Sequence, residues 1–248
     1  MKILIVTVAG LSSRFSESVG YSCLKCIYHK KSITEALLYK ILRQDVKFDR
    51  YIIVGGFMFE ELYETLQLHF ADLLTKITVL KNEKYSEYGS GYSLYLGLQE
   101  AIQTRFDELI FAEGDLFVDS EDFQKVYYAD SDVITCNKEV INADKAVVFY
   151  FDLNGKIHYI FDTCHNAIFI TEPFQAIYNS GQIWKFRNFQ LLNKIVDNLR
   201  EEEMQGTNLV IIQKYFCRLL REEYKIIEFN KWINCNTVSD YERIFTIE

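Results

Sequence analysis

The sequence of 248 residues carries 27 basic and 35 acidic side chains, a net charge of −8, and is 49% hydrophobic and 15% aromatic. That much apolar material excludes a disordered chain, and the length fits one α/β domain with an insertion, spanning 1–248, rather than two independent domains. The acidic balance excludes a protein that holds a nucleic-acid backbone by counterion release, and no apolar run approaches the roughly 20 residues that cross a bilayer, so neither nucleic acid nor membrane is an expected partner.

Lys2 to Val8 is almost wholly apolar, the pattern of a strand buried on both faces. The stretch MKILIVTVAGLSSRF has no cleavage-site pattern, and the expected location is cytoplasmic. Ser32-Ile33-Thr34-Glu35 has capping-box spacing, and ALLYKILRQ after it repeats apolar residues at helical intervals, which predicts a first crossover helix. Tyr51 to Val54, Ile77 to Leu80 and Glu108 to Ala112 read as further strands, with helices between them at about 58–69 and 92–103. Beyond residue 130, Asp132 to Thr135, Lys145 to Phe151 and Lys156 to Phe161 are strand-like, and Asp152-Leu153-Asn154-Gly155 is a hairpin turn. Pro173 lies in an irregular stretch before an apolar run around Ile177 and Gly181; helices at about 189–203 and 208–222 and a strand near 225–235 complete the chain. This order predicts an α/β fold of Rossmann-like type: a mostly parallel central sheet with flanking helices and a small antiparallel extension.

Three segments carry candidate chemistry. Ala9-Gly10-Leu11-Ser12-Ser13-Arg14 follows the first buried strand and leads through a polar loop to Lys25. Such a loop can turn backbone N–H groups toward phosphates, with Arg14 as a fork and Lys25 as a mobile point charge, although an ordinary surface loop has the same spacing. Glu113-Gly114-Asp115 ends the fourth strand, the edge at which open α/β sheets bind ligands, and Asp115 there is either a turn residue or a ligand for a divalent cation. Late in the chain, Asn236 offers an oxygen ligand, while Ser239 nearby suits the cap of a last helix. Cys23 and Cys26 form a C-x-x-C near His29, but no second pair stands at metal spacing unless Cys164-His165 folds close, and the six scattered cysteines suit reduced thiols.

Taken together and in this order, the segments resemble the nucleotidyltransferases of glycosyltransferase-A-like fold. The resemblance rests on Ala9, Gly10, Arg14 and Lys25, on Gly114-Asp115, on Asn179-Ser180-Gly181 and on Asn236, Thr237 and Asp240, with Leu24 where that family has proline and Ser12 where many members have glycine. It implies residues 1–130 as the mainly nucleotide-binding part and about 131–190 as the acceptor-binding part. Asn82-Glu83-Lys84-Tyr85 and Gly91-Tyr92-Ser93-Leu94-Tyr95-Leu96 are similar to the matching stretch of phosphocholine cytidylyltransferases, which implies CTP as donor and Ser90, Gly91 and Ser93 near the base. The implied catalytic residues are Lys25, Arg14 and Asp115. Mg²⁺ is the implied cofactor, held by Asp115 and Asn236, and the remaining nucleotide contacts fall to Ala9, Gly10, Leu11, Ser12, Ser13 and Gly114.

The acceptor is open between a phosphocholine-like amine and a phosphorylated amino acid such as L-glutamine phosphate, the substrate of similar enzymes in capsule phosphoramidate pathways. Glu172, Asn179, Trp184 and Arg187 are its candidate contacts; Arg187 suits a carboxylate. Either product is a CDP-linked compound for decorating a cell-surface polysaccharide or lipid. Two further readings share the fold: a nucleotide-sugar glycosyltransferase, against which the paired cations Arg14 and Lys25 count, and a non-catalytic nucleotide-binding regulator.

Overall fold

The computed structural model describes residues 1–143, 146–161 and 167–247. The apolar run at the start forms β1 (Lys2–Val8), then α1 (Ser13–Val19), a 3₁₀ turn at Lys25–Ile27, a second at Ile33–Glu35, and α2 (Leu37–Leu42). β2 (Arg50–Gly55), α3 (Phe59–His69), β3 (Ile77–Lys81), α4 (Ser90–Ile102) and β4 (Glu108–Glu113) complete the first half. β5 (Leu116–Val118), α5 (Ser120–Tyr128), β6 (Asp132–Asn137), β7 (Val148–Asp152), β8 (Ile157–Tyr159) and the long β9 (Phe174–Phe186) come next. α6 (Phe189–Asp197), α7 (Glu201–Gln205), α8 (Leu209–Phe216), β10 (Tyr224–Phe229), β11 (Trp232–Asn234) and α9 (Val238–Ile247) end the chain.

The central sheet has the order β10-β6-β9-β4-β1-β2-β3, and β9 is the strand that runs antiparallel to its neighbours β4 and β6. The first half of β9 leaves this sheet to pair with β7, which pairs in turn with β8; this is the antiparallel extension, from which Asp132–Thr135 drops out because β6 lies in the central sheet parallel to β10. β1 shows why the sheet is buried on both faces. Ile3 and Ile5 point into one core with Leu94 and Leu98 of α4, Ile195 of α6 and Ile212 of α8, while Leu4 and Val6 point into a second with Leu38 of α2, Leu62 of α3 and Phe123 of α5. A third, smaller core joins Phe15 of α1, Cys23, Phe117, Ile233, Cys235 and Tyr241 of α9, tying the loop after β1 to the end of the chain. Among the described residues no helix is long and apolar enough to cross a membrane.

Several elements differ from the pattern in the sequence. The polar loop after β1 contains a short helix. Ser32 caps only a 3₁₀ turn, accepting from Thr34 N, and Glu35 turns back to accept from Lys30 N and Lys31 N, so no capping box forms and α2 begins two residues later. The helix expected over 189–203 breaks between α6 and α7, and the one over 208–222 stops at Phe216. The strand expected over 225–235 divides into β10 and β11, because the buried Asp122 carboxylate draws in Asn230 N at 2.5 Å and Lys231 N at 2.9 Å and turns the chain there. Lys145, the first residue of one expected strand, and Cys164-His165 lie outside the described residues.

Candidate active site

β1 and β4 end side by side, with Thr7 opposite Glu113. Gly114 then crosses the end of β1, its N–H donating to Thr7 O at 3.0 Å. A Cβ at this position would stand 2.2 Å from Val8 Cγ1 and 2.9 Å from Thr7 O, so only glycine permits the crossing that brings Asp115 over the strand ends. The antiparallel pairing of β5 with β11, and a bond from Cys235 N to Asp115 O at 2.8 Å, then fix Asn236 beside Asp115.

A cleft of about 320 Å³ opens here, lined by Gly10, Leu11, Ser12, Ser13, Arg14, Lys25, Ser90, Glu113, Gly114, Asp115 and Asn236 among others. Lys25 Nζ lies 2.6 Å from Asp115 Oδ2, and Arg14 Nη2 donates to Asn236 Oδ1 at 2.7 Å. Asp115 Oδ1 is buried and has no hydrogen-bond partner among the described residues. Lys25 is held by its backbone, whose N–H donates to Ser12 Oγ at 3.3 Å, and Ser12 itself sits in the left-handed region at φ 54°. Asn236 is held by the start of α9: Asp240 Oδ2 accepts from Asn236 N, Thr237 N and Thr237 Oγ1, while Thr237 Oγ1 accepts from Asp240 N, a reciprocal cap on that helix. Thr237 and Asp240, not Ser239, therefore cap it.

Glu113, named in the sequence only as part of the Glu113-Gly114-Asp115 segment, faces the same cleft with its carboxylate and accepts from Asn208 Nδ2 at 2.7 Å. Burial, and secondly the charge of Asp115, push its carboxyl up to about 7. The cleft thus offers two cations, two carboxyl groups and an amide carbonyl, a set suited to an anionic phosphate chain and a hard divalent cation.

Not every expected contact lies at the cleft. Ala9 is buried, with its carbonyl accepting from Phe57 N. Gly91 packs against the backbone of Gly206, where a Cβ would approach the Gly206 oxygen to 2.8 Å. The buried Ser93 hydroxyl accepts from Asn82 Nδ2 at 2.9 Å, so both residues of that stretch serve the packing of α4. Ser90 does line the cleft, and its Oγ also accepts from Asn208 N. Cys23 and Cys26 are buried in two cores, and burial pushes both thiols up, which leaves them as packing residues.

The four expected acceptor contacts scatter. Trp184 is fully buried, stacked on Phe111 and donating to Tyr159 OH at 2.8 Å; it is core. Arg187 donates to Asp130 O and stands 3.8 Å from Glu108, the first residue of β4, so it is about 16 Å of strand from the cleft. Glu172 accepts from Tyr150 OH on the β7–β8 side. Asn179 alone is near, in a recess that also holds Asn234, Asn236 and Asp240.

Solved structures that share this architecture across almost their whole length include three with transferase names. One, described as a "Putative Glucose-1-Phosphate Thymidylyltransferase" from Bacillus anthracis, is 12% identical with a TM-score of 0.67, covering 99% of this chain and 94% of its own. The inositol-1-phosphate CTP transferase from T. maritima is 16% identical with a TM-score of 0.69, covering 100% of this chain and 96% of its own. The CTP:phosphocholine cytidylyltransferase from Streptococcus pneumoniae is 14% identical with a TM-score of 0.63, covering 99% of this chain and 98% of its own. The fold is therefore that of these nucleotidyltransferases. No curated protein matches the sequence. The family model described as "Domain of unknown function (DUF6564)" matches residues 21–248, from just after the Arg14 loop, and the chain belongs to that family.

Proposed function

We propose that the protein is a Mg²⁺-dependent cytidylyltransferase that joins CMP from CTP to a small phosphorylated acceptor and releases pyrophosphate. The observation that carries this reading is the meeting of Arg14, Lys25, Asp115 and Asn236, from three distant stretches of chain, in one cleft beyond the strand ends. Cytidine as the base is supported by the similarity of 82–96 to phosphocholine enzymes and by the CTP named for two of the three similar structures, the third being named for thymidylyl transfer.

An ionised oxygen of the acceptor attacks the α-phosphorus in line, the bond from that phosphorus to the bridging oxygen of the β-phosphate breaks, and pyrophosphate leaves with the electron pair. No protein nucleophile is needed, so the residues act by positioning and by neutralising charge. Lys25 moves from Asp115 to the triphosphate, and Arg14 binds the departing pyrophosphate as a fork. Gly10 to Ser13 present backbone to the phosphates, Gly114 lines the cleft and lets the chain cross β1 so that Asp115 reaches them, and Ser90 faces the nucleoside end.

The donor set fits Mg²⁺: Asp115 Oδ1 is buried without a protein partner among the described residues, and Asn236 Oδ1 is a neutral oxygen with a second lone pair beyond the one Arg14 uses. When bound, the ion neutralises phosphate charge and orients the acceptor against the α-phosphate. In this reading residues 1–130 serve mainly the nucleotide and 131–190 the acceptor, which is a phosphorylated amino acid such as L-glutamine phosphate or a phosphocholine-like amine. The CDP-linked product then feeds a cell-surface polysaccharide or lipid. Incubation with Mg²⁺, each of the four NTPs and a panel of phosphorylated amines and amino acids tests the reading. Pyrophosphate with CTP and one acceptor supports it; pyrophosphate with another NTP only, or with none, removes it.

A further inference from the structure

β9 carries a bulge in which Gly181, Gln182 and Ile183 stand opposite the single residue Thr135 of β6. Thr135 Oγ1 fills the gap, donating to Ile183 O at 2.6 Å and accepting from Ile183 N. Gln182 takes φ 56°, an uncommon conformation for a residue with a side chain, and is 1% exposed. Its side chain lines a recess of about 210 Å³ that opens off the active cleft and shares Arg14, Asp115 and Asn236 with it.

A chain of hydrogen bonds fixes which way this side chain faces. Arg14 can only donate, so the atom of Asn236 that it meets at 2.7 Å is the carbonyl oxygen. Asn236 must then donate through Nδ2 to Asn234 Oδ1 at 3.0 Å, and Asn234 Nδ2 to Gln182 Oε1 at 3.3 Å. The order of the three amides is set by one guanidinium, and it leaves Gln182 Nε2 as the free end of the chain. That nitrogen is buried and has no partner among the described residues. A buried donor left unpaired is unfavourable, and an oxygen brought by a ligand in the recess would pair it. Val147, Val148, Ile160 and Leu209 supply apolar walls around it, with Thr207 at the rim.

We infer that Gln182 is a specificity residue for the acceptor: its Nε2 donates to a carbonyl or hydroxyl oxygen on the non-reacting end of a compact phosphorylated compound. A quaternary ammonium has no oxygen to offer this donor, and among the described lining residues Phe161 is the one aromatic ring, too few for a cation cage. The inference rests on the nucleotidyltransfer reading, and it adds the Arg14–Asn236–Asn234–Gln182 chain as the device that couples the phosphate site to acceptor choice.

The test is calorimetric titration of the full-length protein, preloaded with Mg²⁺ and CTP, with three probes: 2-carbamoylethyl phosphate, its hydrocarbon-ended counterpart 3-methylbutyl phosphate, and phosphocholine. The expected result is at least a tenfold preference for the carbamoyl probe in the wild type, lost in both Gln182→Leu and Gln182→Glu. Gln182→Glu keeps the shape and replaces the donor with an acceptor, and circular dichroism establishes that each variant is folded. Equal binding of the three probes, preference for phosphocholine, binding of none, or a preference that persists in the variants overturns the inference. CTP titrated alone separates this from failure of the wider reading, since only that reading requires CTP to bind.

Discussion

Arg14 and Asn236, separated by almost the whole chain, meet at 2.7 Å over the ends of β1 and β4. The contact ties the last helix to the cleft: α9 is capped by Thr237 and Asp240, the cap holds Asn236, and Asn236 aims its oxygen at Arg14. In the proposed reading, replacing Asn236 by Ala removes an oxygen donor for Mg²⁺ and releases Arg14. The expected outcome is a roughly tenfold or greater rise in the Mg²⁺ concentration that gives half-maximal turnover, read from a Mg²⁺ titration of the rate.

Lys25→Ala removes the mobile charge and leaves Asp115 to face the phosphates alone. Turnover is expected to fall by about 10²–10³-fold, the scale of losing one transition-state donor. The pair is one-fifth exposed on each side, so the stability cost is small, about 1 kcal/mol. Steady-state kinetics beside urea denaturation separates the two; equal loss of both contradicts the assignment.

Trp184 provides the opposite case. Trp184→Phe loses the bond to Tyr159 OH and leaves a gap beside Phe111, at a cost of about 1–3 kcal/mol. Its expected signature is a lower unfolding midpoint with KM for the acceptor unaltered, whereas a raised KM with normal stability restores Trp184 to the site.

Acid stability has a specific origin in Asp122. Burial acts to raise its pKa, but the Lys125 ammonium and the N–H groups of Lys231 and Asn230 outweigh it and hold the carboxyl below the usual range. With a folded-state pKa below the unfolded value, the stabilisation is complete above the ordinary aspartate range near pH 4 and is lost as pH falls through the folded-state value. Asp122→Asn is therefore expected to cost about 2 kcal/mol at pH 6, and the gap from wild type is expected to narrow as the pH falls below the ordinary aspartate range. Guanidinium unfolding as a function of pH reads both.

The gathering of Arg14, Lys25, Asp115 and Asn236 in one cleft is legible in the sequence because the strand ends that bring them together can be read from it. A buried strand followed by Gly10, Arg14 and Lys25, and another ended by Gly114-Asp115, place charge where open sheets bind ligands. The parallel strands are themselves legible: β1 is apolar on both faces because helices cover both. The acceptor side is not, since it depends on where one bulge throws a side chain. Gly181 inside an apolar run is the signal that marks that bulge, and strict alternation without it places neither Gln182 nor Trp184 correctly. Arg187 suits a carboxylate by chemistry alone, and only the strand direction sends it to the far end of β4. Glu113 and Asn208 find one another across folded elements, which no local spacing encodes.

The most direct measurement of the central claim is ³¹P NMR of the protein with Mg²⁺, CTP and the phosphorylated acceptor panel. The account predicts pyrophosphate and a new CDP-type diphosphate diester appearing in equal amounts, dependent on Mg²⁺ and lost in Lys25→Ala. CTP recovered intact with every acceptor, or cleaved to CMP and pyrophosphate with no diester, contradicts it.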